Sequence, residues 1–231
     1  MTNRDVWVWV ETRAEGKARN VGLELLSPAR DLARKQGGIA VAVLLGADLN
    51  EAIEQAERCG AQEIHLLENE SYRNYSTGGY TDALEALLKQ YQPPVLLLGA
   101  TINGRDLAPR LACRLKTGLT ADCTGLSYDE EEDLVLWTRP AFGGNLMAEI
   151  VCPAHRPQMG TVRPGVFKIH PDAKNRAKII RHAVLPPEKN RRQTIESIFL
   201  SEEKGEDIAA ANIVVAGGRG VSNARGLALL E

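Results

Sequence analysis

The sequence lacks an excess of charge of one sign, a long hydrophobic run and any close pair of cysteines. Its 28 Lys and Arg stand against 30 Asp and Glu, a formal net charge of −2, and no basic stripe with interleaved aromatics occurs, so nucleic-acid capture is excluded as a leading function. No apolar stretch approaches bilayer length, and membrane insertion is not expected. The start, MTNRDVWVWVE, enters an alternating apolar segment with neither a basic n-region nor an apolar h-region, which favours a cytoplasmic protein. Cys59, Cys113, Cys123 and Cys152 are widely spaced without a CxxC pair, as reduced thiols would be. Cys152 and His155 have no second ligand pair at suitable spacing and read as a buried thiol and a surface imidazole rather than half a metal site. His65, His155, His170 and His182 are scattered, none beside a Ser or Cys in a catalytic setting, and no carboxylate dyad emerges, so hydrolytic chemistry has no support.

What is present is an ordinary globular composition, 44% hydrophobic and 25% charged, arranged in α/β order. Asp5–Val10 is the first strand, and Leu23, Leu26, Ala29, Leu32 and Ala33 mark a helix over 21–35 closed by Gly37-Gly38. The nearly all-apolar run 39–45 has the character of a central parallel strand. Asp48 and Glu51 have the spacing of a capping box for a helix that Gly60 ends. A strand at 64–67, a helix at 81–91 and a strand at 95–98 complete four units of a doubly wound, mainly parallel sheet. After Lys116 the runs LVLWTRP, NLMAEIVC and QMGTVRP are short and β-rich, and strands are also expected at 177–185 and 193–200. These readings divide the chain into an N-terminal α/β domain at 1–185, a polar linker or connecting strand at 186–210, and a new strand–Gly loop–helix unit at 211–231.

Three clusters are candidates for function. Gly217, Gly218, Arg219 and Gly220 lie where the run 213–216 hands over to a helix; lacking Cβ atoms, such glycines let backbone N–H groups approach a phosphate or ring edge. GGRG does not satisfy GxGxxG, and the alternative is a tight turn with a solvated arginine. Thr101, Asn103, Gly104 and Arg105 follow the strand at 95–98, where open α/β sheets generally place ligands, while Asp106 is read first as a helix cap. Arg139, Asn145, Arg156 and Arg163 are polar anchors among the apolar strands of 138–167. An interface is the preferred reading for them, a buried polar network the other.

Together these stretches resemble the alpha subunit of electron-transfer flavoproteins, through DVWVWVE, LELLSPARDLA, LLLGATINGRDLAPRLACRLKTGLTADCTGL, TRPAFGGNLMAEIVCPAHRPQMGTVRPGVF and IVVAGGRG. The resemblance implies an adenine-nucleotide-hydrolase-like N-terminal domain that is mostly scaffold, followed by the first strand–loop–helix of a Rossmann-like FAD domain. It implies a heterodimer with a beta subunit and an electron carrier, not an enzyme, working between acyl-CoA dehydrogenase-type partners of fatty acid β-oxidation and an acceptor. It places Arg219 beside the isoalloxazine ring, with Gly217, Gly218 and Gly220 shaping the loop, so that its charge would favour reduced anionic flavin. RPAFGGN is closer to alpha subunits of anaerobic, flavin-bifurcating systems, which brings in NADH and a low-potential acceptor. Family members continue well past the length seen here, so the chain is expected to be a C-terminally incomplete alpha subunit that does not hold FAD alone. The competing expectation is an adenine-nucleotide-binding or purely structural assembly module without flavin.

Overall fold

The computed structural model describes residues 3–172, 174–183, 196–198, 208, 211, 213–221, 226 and 228. The chain divides into two compact units, Met1–Gln193 and Thr194–Glu231. In the first, β1 (Val6–Trp9), α1 (Asn20–Gln36), β2 (Ala40–Gly46), α2 (Asn50–Arg58), β3 (Glu63–Glu68), α3 (Thr77–Tyr91), β4 (Val95–Gly99) and α4 (Ile102–Leu115) alternate as the periodicity requires. Then come β5 (Leu119–Cys123), β6 (Gly125–Asp129), β7 (Leu134–Ala141), β8 (Leu146–Ile150), β9 (Gln158–Val162) and β10 (Lys178–Arg181).

Seven strands form one sheet in the order β10-β3-β2-β1-β4-β9-β5, with every neighbouring pair parallel. The central strands are apolar on both faces because both are covered. Val6, Val8, Ala42 and Leu44 pack with Leu25, Leu26 and Ile53 of α1 and α2. Trp7, Trp9, Val43 and Leu98 pack on the other face with Leu84, Leu87, Leu107 and Leu111 of α3 and α4. The fold is therefore α/β and doubly wound, as the sequence indicates. The direction of strand addition reverses between β1 and β4, so the switch point lies between their carboxyl ends.

The β-rich runs separate into two roles that their composition does not distinguish. β9 enters the parallel sheet between β4 and β5, whereas β6, β7 and β8 form their own antiparallel sheet. That small sheet is fixed by Trp137, fully buried, which occupies the space above Gly160 of β9; a Cβ there would lie 2.2 Å from the indole.

Several local expectations need correction. Asp48 does not cap α2: its backbone is left-handed (φ 54°), its carboxylate instead bonds Arg73 at 2.6 Å, and Glu51 pairs with Lys17. Asp106 does not cap α4 either. Thr101 does so, accepting from Gly104 N–H at 2.9 Å, and Asp106 accepts from Tyr75 and Thr77 across the helix pair. Ile213–Ala216 pairs with no strand among the described residues and is not itself in one, and Ile213, Val214 and Val215 are exposed. Of the strand expected over 193–200, residues 196–198 are described and are not in a strand; the remainder, and most of 186–210, lies outside the described residues.

Candidate functional site

The switch point is filled by the chain's own side chains. β1 runs out through Val10 into Glu11, which is only 4% exposed. β4 delivers Thr101 and the first turn of α4 beside it. Thr101 Oγ1 donates to Glu11 Oε2 at 2.6 Å, Asn103 Nδ2 donates to Oε1 at 2.7 Å, and Arg19 Nε approaches Oε1 at 2.9 Å. The start of α4, where partial positive charge would receive a phosphate, already faces a carboxylate held by three donors. Gly104 is required by close approach: a Cβ there would sit 1.9 Å from Gly99 O. The remaining crevice, about 350 Å³ and bordered by Thr12, Arg19, Arg73, Tyr75 and Asn103, is shallow and charged.

Arg105, singled out from the sequence together with Thr101 and Asn103, turns away from Glu11. It donates to Ala100 O at 3.1 Å and pairs with Asp122 at 3.1 Å, and Arg163 binds the other oxygen of Asp122 at 2.7 Å. Arg163, with Arg105 and Arg139 adding to it, holds the Asp122 carboxyl below the usual aspartate range. This ties α4, β5 and the end of β9 together at the carboxyl edge of the sheet.

The four polar anchors expected in the third cluster diverge. Arg163 serves Asp122. Arg156 donates to the carbonyls of Cys152, Pro153, His155 and Asp133 at 3.0–3.3 Å. Arg139 is half-buried on β7, and Asn145 is exposed in the β7–β8 turn. The β7–β8 hairpin and the residue after it expose large apolar side chains: Phe142 (86% exposed), Leu146, Met147 and Val151. Burial pushes the Cys123 thiol up to about 11, which marks it as a packing residue.

At the opposite, amino end of the sheet a cleft of about 970 Å³ is bordered by Arg4, Gln36, Lys116 and Arg156. The carboxyl ends of α1, α3 and α4 converge on it, and their partial negative charge accounts for the basic side chains gathered there. Among the described residues no group of three or more His, Cys, Asp or Glu is placed to hold a metal ion, and no helix is long and apolar enough to cross a membrane.

In the second unit, Gly217 and Gly218 are exposed, and Arg219 opens a single 3-10 turn, Arg219–Val221, closed by Val221 N–H donating to Gly218 O at 3.0 Å. A Cβ placed on Gly218 or Gly220 would meet nothing within 4 Å.

Residues 6–187 match the electron transfer flavoprotein domain. Over 230 residues the chain is 45% identical to the electron transfer flavoprotein subunit alpha of Thermoanaerobacterium thermosaccharolyticum, covering 99% of this chain and 69% of that protein. The chain belongs to the electron transfer flavoprotein family. This flavoprotein-family chain is also 45% identical to Protein FixB of Clostridium saccharobutylicum (98% of this chain, 67% of the relative). It is 36% identical to Lactate dehydrogenase (NAD(+),ferredoxin) subunit LctC of Acetobacterium woodii, covering 99% of this chain and 54% of that one. Its similarity is thus to alpha-type electron-transfer subunits.

For a flavoprotein-family chain the group to be tested is FAD. The loop 217–220 offers exposed backbone and one guanidinium without obstructing side chains, which suits the edge of a flat anionic ring. The described residues around it provide no enclosure for a pyrophosphate or an adenosine, so the fit extends to a ring-side contact alone. Glu11 was missed in the sequence. The signal was an acid directly after an all-apolar strand, at the one turn where a doubly wound sheet reverses.

Proposed function

We propose that this chain serves as the alpha-type half of a heterodimeric electron-transfer flavoprotein, with a beta-type subunit as partner and FAD as the shared cofactor. The observation that carries the reading is the end-to-end similarity to alpha-type subunits, joined to a switch point that Glu11 blocks to phosphate. A carboxylate in that position opposes the competing reading of an adenine-nucleotide module. The exposure of Phe142, Leu146, Met147 and Val151 supports a docking role for the β7–β8 hairpin, since several large apolar side chains left in water on one small segment favour association. Coexpression with a beta-type subunit followed by gel filtration tests this: one co-eluting complex is expected, and two separately eluting monomers overturn it.

Bound FAD would supply the electron-accepting chemistry of such a carrier. Gly217, Gly218 and Gly220 would let the backbone approach its ring edge, and Arg219 would donate hydrogen bonds and place a positive charge there. Arg219→Ala in the assembled heterodimer is then expected to lower the first flavin reduction potential, with Arg219→Lys restoring part of it because charge returns without the planar donor geometry. An unchanged potential removes Arg219 from the site. Donors of the acyl-CoA dehydrogenase type are the expected partners. The relative named as an NAD(+)- and ferredoxin-linked lactate dehydrogenase subunit favours a bifurcating variant of this function. Absence of NADH oxidation by the assembled complex, with or without ferredoxin, leaves the simple carrier.

A further inference from the structure

His65 and His182 are 117 positions apart in sequence, yet their side chains meet. Parallel pairing sets Lys178 opposite Glu63 and Ile180 opposite His65. Side chains two residues apart share a strand face, which puts Glu63, His65, Lys178 and His182 on the same side of the sheet. There His65 is fully buried, its ring edge to edge with that of His182 and nearly coplanar with it, centroids 5.0 Å apart and planes 11° from parallel. His65 Nδ1 lies 2.8 Å from His182 Nε2, and His65 Nε2 lies 2.8 Å from Glu63 Oε1. Trp7 of β1 covers His65, and Tyr91 of α3 stands edge-on to both imidazoles. Lys178 Nζ bonds the other oxygen of Glu63 at 3.0 Å. Among the described residues the charged and titratable groups facing the histidine pair are Glu63, Lys178 and Tyr91.

Besides its parallel backbone ladder to β3, with Lys178 N–H donating to Gln62 O at 3.0 Å and His182 N–H to Leu66 O at 2.9 Å, β10 has few side-chain ties among the described residues. It is a four-residue strand at the edge of the described sheet, and the ion pairs there, Lys178–Glu63 and Arg181–Glu68, have basic members that are 72% and 60% exposed. Exposed pairs of this kind contribute little.

We propose that the His65–His182 contact is a proton-counting latch, which pins β10 to β3 while the pair carries no added proton or one and releases it when the pair carries two. With both rings neutral, ionised Glu63 accepts from His65 Nε2–H, which leaves the Nδ1 lone pair of His65 to accept from His182 Nε2–H. A first added proton goes to His182 Nδ1, away from the contact, and the bond persists. A second must go to His65 Nδ1, where it sets N–H against N–H between two adjoining cations. Burial pushes both imidazoles below their ordinary value, with Glu63 partly opposing it. Groups whose folded value is depressed give stability that is intact above the unfolded value of about 6.5 and lost as pH falls through the folded values. Burial also acts to raise the Glu63 carboxyl, but bonds from Lys178 and His65 outweigh it and keep it below the usual range, so it remains ionised throughout the window.

Amide hydrogen exchange on the full chain, corrected for the intrinsic effect of pH, tests the latch. Amides of Lys178–His182 are expected to lose about tenfold or more in protection between about pH 7 and pH 5, the effect of one unit of displaced titration, while those of β1 and β2 keep theirs. His182→Gln retains a donor for His65 Nδ1 but cannot take a proton, so its β10 should stay protected at both pH values. Flat protection in the unaltered chain, or an undiminished pH-dependent loss in His182→Gln, overturns the proposal. Should that variant fail to fold, imidazole 15N shifts of the unaltered chain decide. Two coupled steps, the second below about pH 6, support the latch; two independent titrations near about pH 6.5 overturn it.

Discussion

The turn after β4 and the loop 217–220 both place glycines where an apolar run ends, but the glycines do different work. At the switch point Gly104 has no room for a Cβ, and the space a ligand would need is taken by Glu11 and its three donors. Around Gly218 and Gly220 a Cβ would touch nothing among the described residues. The turn after β4 uses glycine to close packing, whereas the described part of the loop leaves backbone accessible. Position at the switch point of a doubly wound sheet is thus not enough to make a ligand site where the chain's own side chains fill it.

Perturbing the closed site should have the largest effect. Glu11→Ala leaves Thr101 and Asn103 without their acceptor and Arg19 without its counter-ion, and a loss of about 2–4 kcal/mol in denaturant-derived stability is expected. Gly104→Ala follows at about 1–3 kcal/mol, since α4 must move away from Gly99. Replacing two of the exposed apolar side chains of the hairpin, Phe142→Ser and Met147→Ser together, should leave stability within about 0.5 kcal/mol yet weaken association with a beta-type subunit about tenfold or more, as measured by titration calorimetry. At the open loop, Gly218→Ala should change stability least, within about 0.5 kcal/mol. A cost there comparable to that of Gly104→Ala would erase the contrast between the two sites. Acid sharpens it from another side. Arg163 and then Arg105 hold Asp122 low, so its contribution is present above the ordinary aspartate value of about 3.9 and lost as pH falls through the lower folded value. Asp122→Asn should flatten the acid limb of the stability curve.

The alternation of β1 to α4 was legible because each strand is an apolar run and each helix carries a 3.6-residue stripe, signals local to a few turns. The closing of α1 was equally plain: Gly37 adopts φ 76°, and Gly38 N–H returns to Ala33 O at 2.8 Å. The caps were not legible, because Asp48 and Thr101 compete for partners that lie elsewhere in the chain, Arg73 for one and Glu11 for the other. Nor could β7, β8 and β9 be assigned to sheets by pattern. Trp137 seating on Gly160 decides that, and it is a contact between elements. The turn after β4 was marked as the place where open α/β sheets hold ligands, but a carboxylate just past the end of β1 occupies it.

The insertion of β9 also orders events in time. Among the described residues β5 pairs with β9 alone, Leu119 opposite Met159, so the growing chain exposes β5 and the outer edge of β4 until residues near Val162 have been made. In that interval the β6–β7–β8 meander, whose contacts are local, can close first and present Trp137 as the surface on which Gly160 seats. Assembly would then run from the antiparallel template to the parallel edge. A chain interrupted between β8 and β9 lacks β10 as well, so the outer edges of β3 and β4 and both edges of β5 stay unpaired, and unpaired edges recruit other chains; such intermediates should aggregate instead of behaving as a protein that has merely lost a loop.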